Sequence, residues 1–135
     1  MTTETKNRYV EAVGRRKTAV ARVRITPATK ASFIVNDKDV KEYFMTADLQ
    51  SLAQEALSKS EIAEKFTVTV QVSGGGIHAQ AEAVRHGLSR TLVERDEQVK
   101  NTLKKLGFLK RDSRRVERKK FGLKKARKAP TWSKR

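Results

Sequence analysis

KFTVTVQVSGGGIHAQAEAVRHGLSRTLVE, residues 65–94, changes its period once, at Gly74-Gly75-Gly76. Before the glycines, Phe66, Val68, Val70 and Val72 alternate with Thr67, Thr69 and Gln71. That two-residue repeat predicts a strand from Lys65 to Ser73 with one buried face. After the glycines, Ile77, Ala81, Val84, Leu88 and Leu92 recur at spacings of three and four, which predicts a helix over about Ile77 to Glu94. Each element has one apolar face, and short elements of this kind are stable only when those faces meet in a common core.

The flanking chain supplies more of both kinds. Tyr9 to Gly14 and Lys17 to Thr26 read as two strands joined by a tight turn at Gly14-Arg15-Arg16. In the second, Ala19, Ala21, Val23 and Ile25 share one face, while Val20, Arg22 and Arg24 occupy the other. Pro27 ends it by removing a ladder donor. Ser32 to Asn36 is a short third strand, stopped by the Asn36-Asp37 turn signal. Thr46 to Leu57 carries a stripe of Leu49, Leu52, Ala53, Ala56 and Leu57, with Thr46 as N-cap and Asp48 at the positive end of the helix dipole. A further helix near Glu97 to Leu106 stops at Gly107. The expected fold is α+β, a mostly antiparallel sheet with helices on one face, and there are no internal repeats.

Charge divides the chain differently. Its 135 residues carry a formal net charge of +16. Residues 107–135 hold thirteen lysines and arginines against only Asp112 and Glu117, a net of +11, leaving +5 for the first 106. Three segments are therefore expected: a polar N-terminus over 1–7, a globular part over 8–106 and a basic tail over 107–135. The tail has few large apolar groups, so it cannot offset the ordering entropy of its own backbone and is expected to order on a partner. A polyanion is that partner by electrostatics, and nucleic acid is favoured because neutralising phosphates releases counterions. No apolar stretch has the length of a membrane span, and residues 1–13 lack the apolar centre of a secretion signal, so a cytoplasmic location and no membrane partner are expected.

Chemistry-bearing motifs are absent together. With no cysteine there is no thiolate nucleophile and no cysteine-bearing zinc site. His78 and His86 lie eight residues apart, too far along a helix to chelate one metal, so they read as surface or core-edge side chains. No nucleophile elbow or recognisable carboxylate pair occurs, and neither an enzyme nor a cofactor is expected. Gly74, Gly75 and Gly76 have two readings, a turn permitting close strand–helix packing or a helix N-terminus whose amides hold an anion such as an RNA phosphate. Arg15, Arg16 and Lys17 at the hairpin tip, with Arg22 and Arg24 behind them, are read as five cations on one side that touch phosphate and position the protein. In the tail, Arg111, Arg114, Arg118, Lys119, Lys120, Lys124, Lys125, Arg127 and Lys128 can neutralise phosphates, while Phe121 and Trp132 can stack on unpaired bases. Fully extended, the tail would span roughly 100 Å. The competing class is a small nucleoid-type DNA-binding protein.

Several stretches resemble one family. Tyr9 with Val13-Gly14-Arg15-Arg16-Lys17-Thr18-Ala19-Val20-Ala21-Arg22-Val23 looks like the opening of bacterial-type ribosomal protein nine of the small subunit. Gly74 to Ile77 with Gln80, Ala83, Arg85, Gly87 and Arg90 is similar to its central motif. The most specific match runs from Gly107-Phe108 through Arg111-Asp112, Arg114, Val116 to Lys120, Gly122-Leu123, Lys125 to Arg127, Pro130 and Ser133-Lys134-Arg135. Ala79 and Glu82 stand where the family usually has glycine, and Trp132 replaces another aromatic. The resemblance implies two layers, like the second domain of the small-subunit S-five ribosomal protein. It implies a structural constituent of the ribosome that binds ribosomal RNA in the head of the small subunit, with Arg85 among the RNA-binding residues. Neighbouring ribosomal proteins of the head are implied as partners. It also implies that Ser133, Lys134 and Arg135 reach the anticodon arm of the peptidyl-site tRNA.

Overall fold

The structure is a computed structural model and describes residues 9–132. The expected N-terminal segment 1–7 and the tRNA-facing Ser133, Lys134 and Arg135 lie outside the described residues. Five strands form one sheet: β1 (Val10–Arg16), β2 (Ala19–Pro27), β3 (Ser32–Val35), β4 (Lys38–Asp39) and β5 (Phe66–Ser73), in the spatial order β1-β2-β5-β3-β4. Helices α1 (Val40–Tyr43) and α2 (Ala47–Ser60) fall between β4 and β5. Helix α3 (Ile77–Arg95), a 3₁₀ turn (Glu97–Val99) and α4 (Lys100–Lys105) follow β5. The fold is α+β, and three of its four strand pairings are antiparallel.

Alternation places the core as the sequence requires. Ala19, Ala21, Val23 and Ile25 of β2, Phe66, Val68, Val70 and Val72 of β5, and Phe33 and Val35 of β3 are all buried on one face. Against them lie Ala81, Val84, Leu88 and Leu92 of α3, with Ala53 and Ala56 of α2. Thr46 caps α2, its hydroxyl accepting from the Leu49 amide at 3.4 Å. Ile77, expected on the apolar stripe of α3, is exposed at the first position of the helix.

Four features depart from the sequence reading. The β1–β2 turn is at Lys17-Thr18, with Lys17 at φ 54°, and Gly14 to Arg16 belong to the strand. The short β4 and α1 have no counterpart in the sequence pattern. They follow a two-residue turn with both Asn36 and Asp37 at positive φ, the backbone of a tight hairpin. β3 pairs parallel with β5, since two helices intervene and bring the chain back in the same direction. The Asn36 side chain prolongs that ladder: its amide donates to the Val72 carbonyl and accepts from the Val72 amide, both at 2.9 Å. Finally, the last predicted helix is split. Asp96 accepts from the Gln98 amide at 3.0 Å and opens a 3₁₀ turn before α4.

Gly14 is a packing residue rather than a turn residue. A Cβ at Gly14 would fall within the van der Waals envelope of the Ala83 carbonyl and the Gly87 amide of α3. A Cβ at Gly87 would lie 2.7 Å from a Val23 methyl and 2.9 Å from the Gly14 nitrogen. Backbone on both sides cannot swing aside as a flexible side chain would. Gly14→Ala should therefore destabilise the domain by about 1–3 kcal/mol or more through overpacking. Gly76→Ala is the internal control. Its φ is −90° and a Cβ there would meet nothing within 4 Å, so in thermal unfolding the change should cost only the glycine preference at this N-cap, about 1 kcal/mol or less.

Candidate nucleic-acid interface

The sheet face turned away from the helices carries the first group of candidate residues. Strand parity places Arg15, Arg22 and Arg24 there, with Glu11. Glu11 sits opposite Arg24 in the ladder and one pair from Arg22. Its two oxygens lie 3.0 Å from Arg22 Nε and 3.6 Å from Arg24 Nε. The Arg24 guanidinium also stacks over the Tyr9 ring at 4.5 Å, a cation–π arrangement that holds its plane. A groove of about 450 Å³ crosses the same face, lined by Arg22, Val20, Gln71, Ser73, Asn36, Asp37 and the edge of Val72. One carboxylate shared by two arginines leaves this face positive and rich in hydrogen-bond donors.

Arg16 is not part of it. As the neighbour of Arg15 in an extended strand it points to the opposite face, where its Nε pairs with Glu82. Its Nη1 bonds the Arg114 carbonyl and lies 3.4 Å from the Asp112 carbonyl. Only 14% of the side chain is exposed. The expected group of five cations on one side is thus divided, with Arg15, Arg22 and Arg24 on the open face, Lys17 at the exposed turn and Arg16 turned inward.

Arg85 is committed inside the protein as well. It pairs with Glu55 of α2 at 3.0 Å and lies 4.7 Å above the ring of Phe108. Gly74 and Gly75 adopt positive φ, 79° and 63°, and a Cβ at Gly74 would meet the Thr18 carbonyl at 2.6 Å. Gly74 and Gly75 thus form a close-packing turn against Thr18 and Ala19. Gly76 follows as the N-cap of α3 without a side-chain cap. His78 reaches Glu82 at 3.4 Å, and no described residues form a metal-ligating cluster.

Past α4 the chain leaves the helix through a Schellman motif. The Phe108 amide bonds the Leu103 carbonyl at 3.2 Å and the Gly107 amide bonds Lys104 at 3.1 Å, with Gly107 at φ 80°. Phe108 is buried beside Leu103. His86, read from sequence as a surface or core-edge side chain, joins strand and tail. Its Nδ1 accepts from the Arg15 amide at 3.2 Å and its Nε2 lies 3.3 Å from the Leu109 carbonyl. Periodicity places His86 beside the core but carries no signal of that role, since both partners are backbone groups far away in sequence. Beyond, Asp112 accepts from the Arg114 amide at 2.9 Å and from its guanidinium, and these bonds hold the carboxyl well below its usual range. Lys120 and then Arg127 hold Glu117 below its ordinary value in the same way.

The remaining tail cations face outward. Arg115, Arg118, Lys119, Lys124, Lys125 and Lys128 are exposed and form no ion pair among the described residues. Arg111 is exposed and donates to the Lys17 carbonyl at 3.3 Å. Val116, Phe121 and Trp132 stand 90%, 98% and 80% exposed among these charges. No helix among the described residues is long and apolar enough to cross a membrane. The arrangement joins a folded domain with one cationic sheet face to a cationic, aromatic-bearing C-terminal segment. The family model described as ribosomal protein S9/S16 matches residues 14–135, and the chain belongs to that family. It is accordingly a ribosomal protein, with ribosomal RNA and other ribosomal proteins as the partners the family implies.

Phe108 and Phe121 should separate the anchored part of the extension from the exposed part. Phe108→Ala should cost about 3–5 kcal/mol, because it empties a buried site beneath Arg85. Phe121→Ala, nearly fully exposed, should leave the denaturant midpoint unchanged.

Proposed function

We propose that the chain is the bacterial-type ninth protein of the small ribosomal subunit, an architectural component without catalytic chemistry. The domain docks on ribosomal RNA of the subunit head, and the basic extension threads between RNA helices. Ser133, Lys134 and Arg135 meet the anticodon arm of the peptidyl-site tRNA and retain it through phosphate contacts. A two-layer domain like the second domain of the S-five protein and a separate basic tail belong to the same reading. The observation that carries it is the pairing of six outward cations with exposed Val116, Phe121 and Trp132 in one segment. Apolar side chains left in water beside clustered positive charge are suited to a surface that offers phosphates and base faces together.

The two kinds of residue leave different signatures in binding. Replacing Lys119, Lys124 and Lys128 with alanine should weaken ribosomal RNA binding and flatten the salt dependence by about 0.7–0.9 for each phosphate no longer neutralised. Phe121→Ala or Trp132→Ala should cost about 1–3 kcal/mol for each base unstacked, with the salt slope unchanged. Equal affinity for duplex DNA and ribosomal RNA, with no enrichment in small subunits, would instead favour a general nucleic-acid binder. Deleting residues 133–135 should leave subunits assembled but raise the off-rate of peptidyl-site tRNA. An unchanged off-rate in such particles would remove the tRNA role.

A further inference from the structure

The residues just after Gly107 have the charge pattern of the rest of the extension, yet side chains of β1 and α3 hold them on the domain. Three anchors follow one another. Phe108 is buried under Arg85. Leu109 gives its carbonyl to His86 at 3.3 Å. Asp112 and Arg114 give theirs to Arg16, whose other side is tied to Glu82. Arg111 adds a bond to the Lys17 carbonyl, and the Asp112 carboxylate turns the backbone by capping the Arg114 amide. The chain-side partners of His86 and Arg16 are main-chain carbonyls, so the cleft between β1 and α3 receives an extended backbone much as a sheet edge would.

We propose that residues 107–114 are a docked strap, and that Arg16, Glu82 and His86 are positioning residues fixing where the basic extension leaves the domain. Beyond the strap the described chain runs from Arg115 to Trp132, and those 18 residues would reach roughly 60 Å when extended. A tether rooted at a fixed point and direction searches a smaller volume than one swinging from Leu106. It therefore meets a fixed target at higher effective concentration. The value of that aim rests on the RNA-threading role proposed above, but the strap is a property of the isolated protein and is tested there.

The strap depends on the protonation state of His86. An amide N–H cannot accept and a carbonyl cannot donate, so both bonds form together only with the neutral ring protonated at Nε2. The charged groups around the ring are Arg15 and Arg16 from β1, Glu82, Arg85 and Arg90 from α3, and Lys110, Arg111 and Asp112 from the strap. Burial pushes the imidazole below its ordinary value, the Leu109 carbonyl opposes this, and Arg90 and Arg111 add to it. A histidine with a depressed folded pKa contributes its stabilisation in full above the unfolded value of about 6.5 and loses it as pH falls through the folded value.

Limited trypsin digestion of the full chain, with fragments identified by mass, reads the strap directly. The measured quantity is the cleavage rate after Lys110 or Arg111 relative to that after Arg115 or Arg118. This ratio cancels the pH dependence of trypsin itself. In the unaltered protein the strap sites should be cut about tenfold more slowly or less, since cleavage there requires local opening. Arg16→Ala should raise the ratio toward one. Glu82→Gln should do so partly, and it serves if Arg16→Ala fails to fold. Lowering the pH from 7.5 to 5.5 should raise the ratio in the unaltered protein. It should not do so in His86→Gln, which keeps an acceptor and a donor but cannot titrate. Strap sites cut as fast as Arg115 in the unaltered protein, or a ratio insensitive to both Arg16 and Glu82 changes, would overturn the proposal. A protected strap combined with normal tRNA retention after deletion of 133–135 would leave the strap standing and remove only the tRNA role.

Discussion

Where β1 runs along α3, Gly14 and Gly87 bring backbone against backbone with no side chain between them. β1 is an edge strand with only β2 as a sheet neighbour, so this contact decides how firmly it is held. The close approach makes other bonds possible. Arg90 of α3 reaches the Val13 carbonyl, His86 receives the Arg15 amide and Glu82 meets Arg16. Each of these would lengthen beyond hydrogen-bonding range if a methyl group forced strand and helix apart by even an ångström or two. The unpaired edge of a sheet is also a liability for association, and here α3 and the segment beyond Gly107 lie beside it.

Electrostatics follows the same geometry. Acidic residues are few in a chain of net charge +16, and many of those described are paired with arginines: Glu11, Glu55, Glu64, Glu82, Asp112 and Glu117 each contact at least one. Exposed pairs of this kind add little stability, because solvent screens them and long side chains lose rotamer freedom. Their effect is to orient particular arginines and to leave others without an acidic partner. Arg16 and Arg85 are held inside the protein, while the outward cations of residues 115–128 are available to a polyanion. Identical residue types are thereby divided between building the domain and presenting charge.

Much of this was visible in the residue order. The burial of alternate residues in β2 and β5, the apolar stripes of α2 and, apart from exposed Ile77, of α3, the Thr46 cap and the stop at Gly107 appear where local pattern places them. The excess charge after residue 107 pointed toward a polyanionic partner, and the resemblance of Val13 to Val23, Gly74 to Arg90 and Gly107 to Arg135 pointed toward a ribosomal family before any tertiary pairing was known. The misplaced turn shows the limit. Gly14-Arg15-Arg16 has turn-like composition, but Gly14 is glycine because a helix 70 residues later passes against it, and nothing local reports that. Arg16 failed for a related reason: shifting the turn by two residues puts it inside the strand, and strand parity then carries it to the opposite face.

Periodicity, capping chemistry and charge density are properties of neighbours along the chain, so the sequence by itself determined the longer elements, most of their core-facing residues and the basic character of the C-terminal segment. Pair identities are not local. The parallel pairing of β3 with β5, the commitment of Arg16 to Glu82 and the bridging role of His86 arise between residues 23 or more positions apart in the chain. Only the tertiary structure decided them, because a side chain's partner is chosen by which backbone the packed core brings within about 3 Å of it.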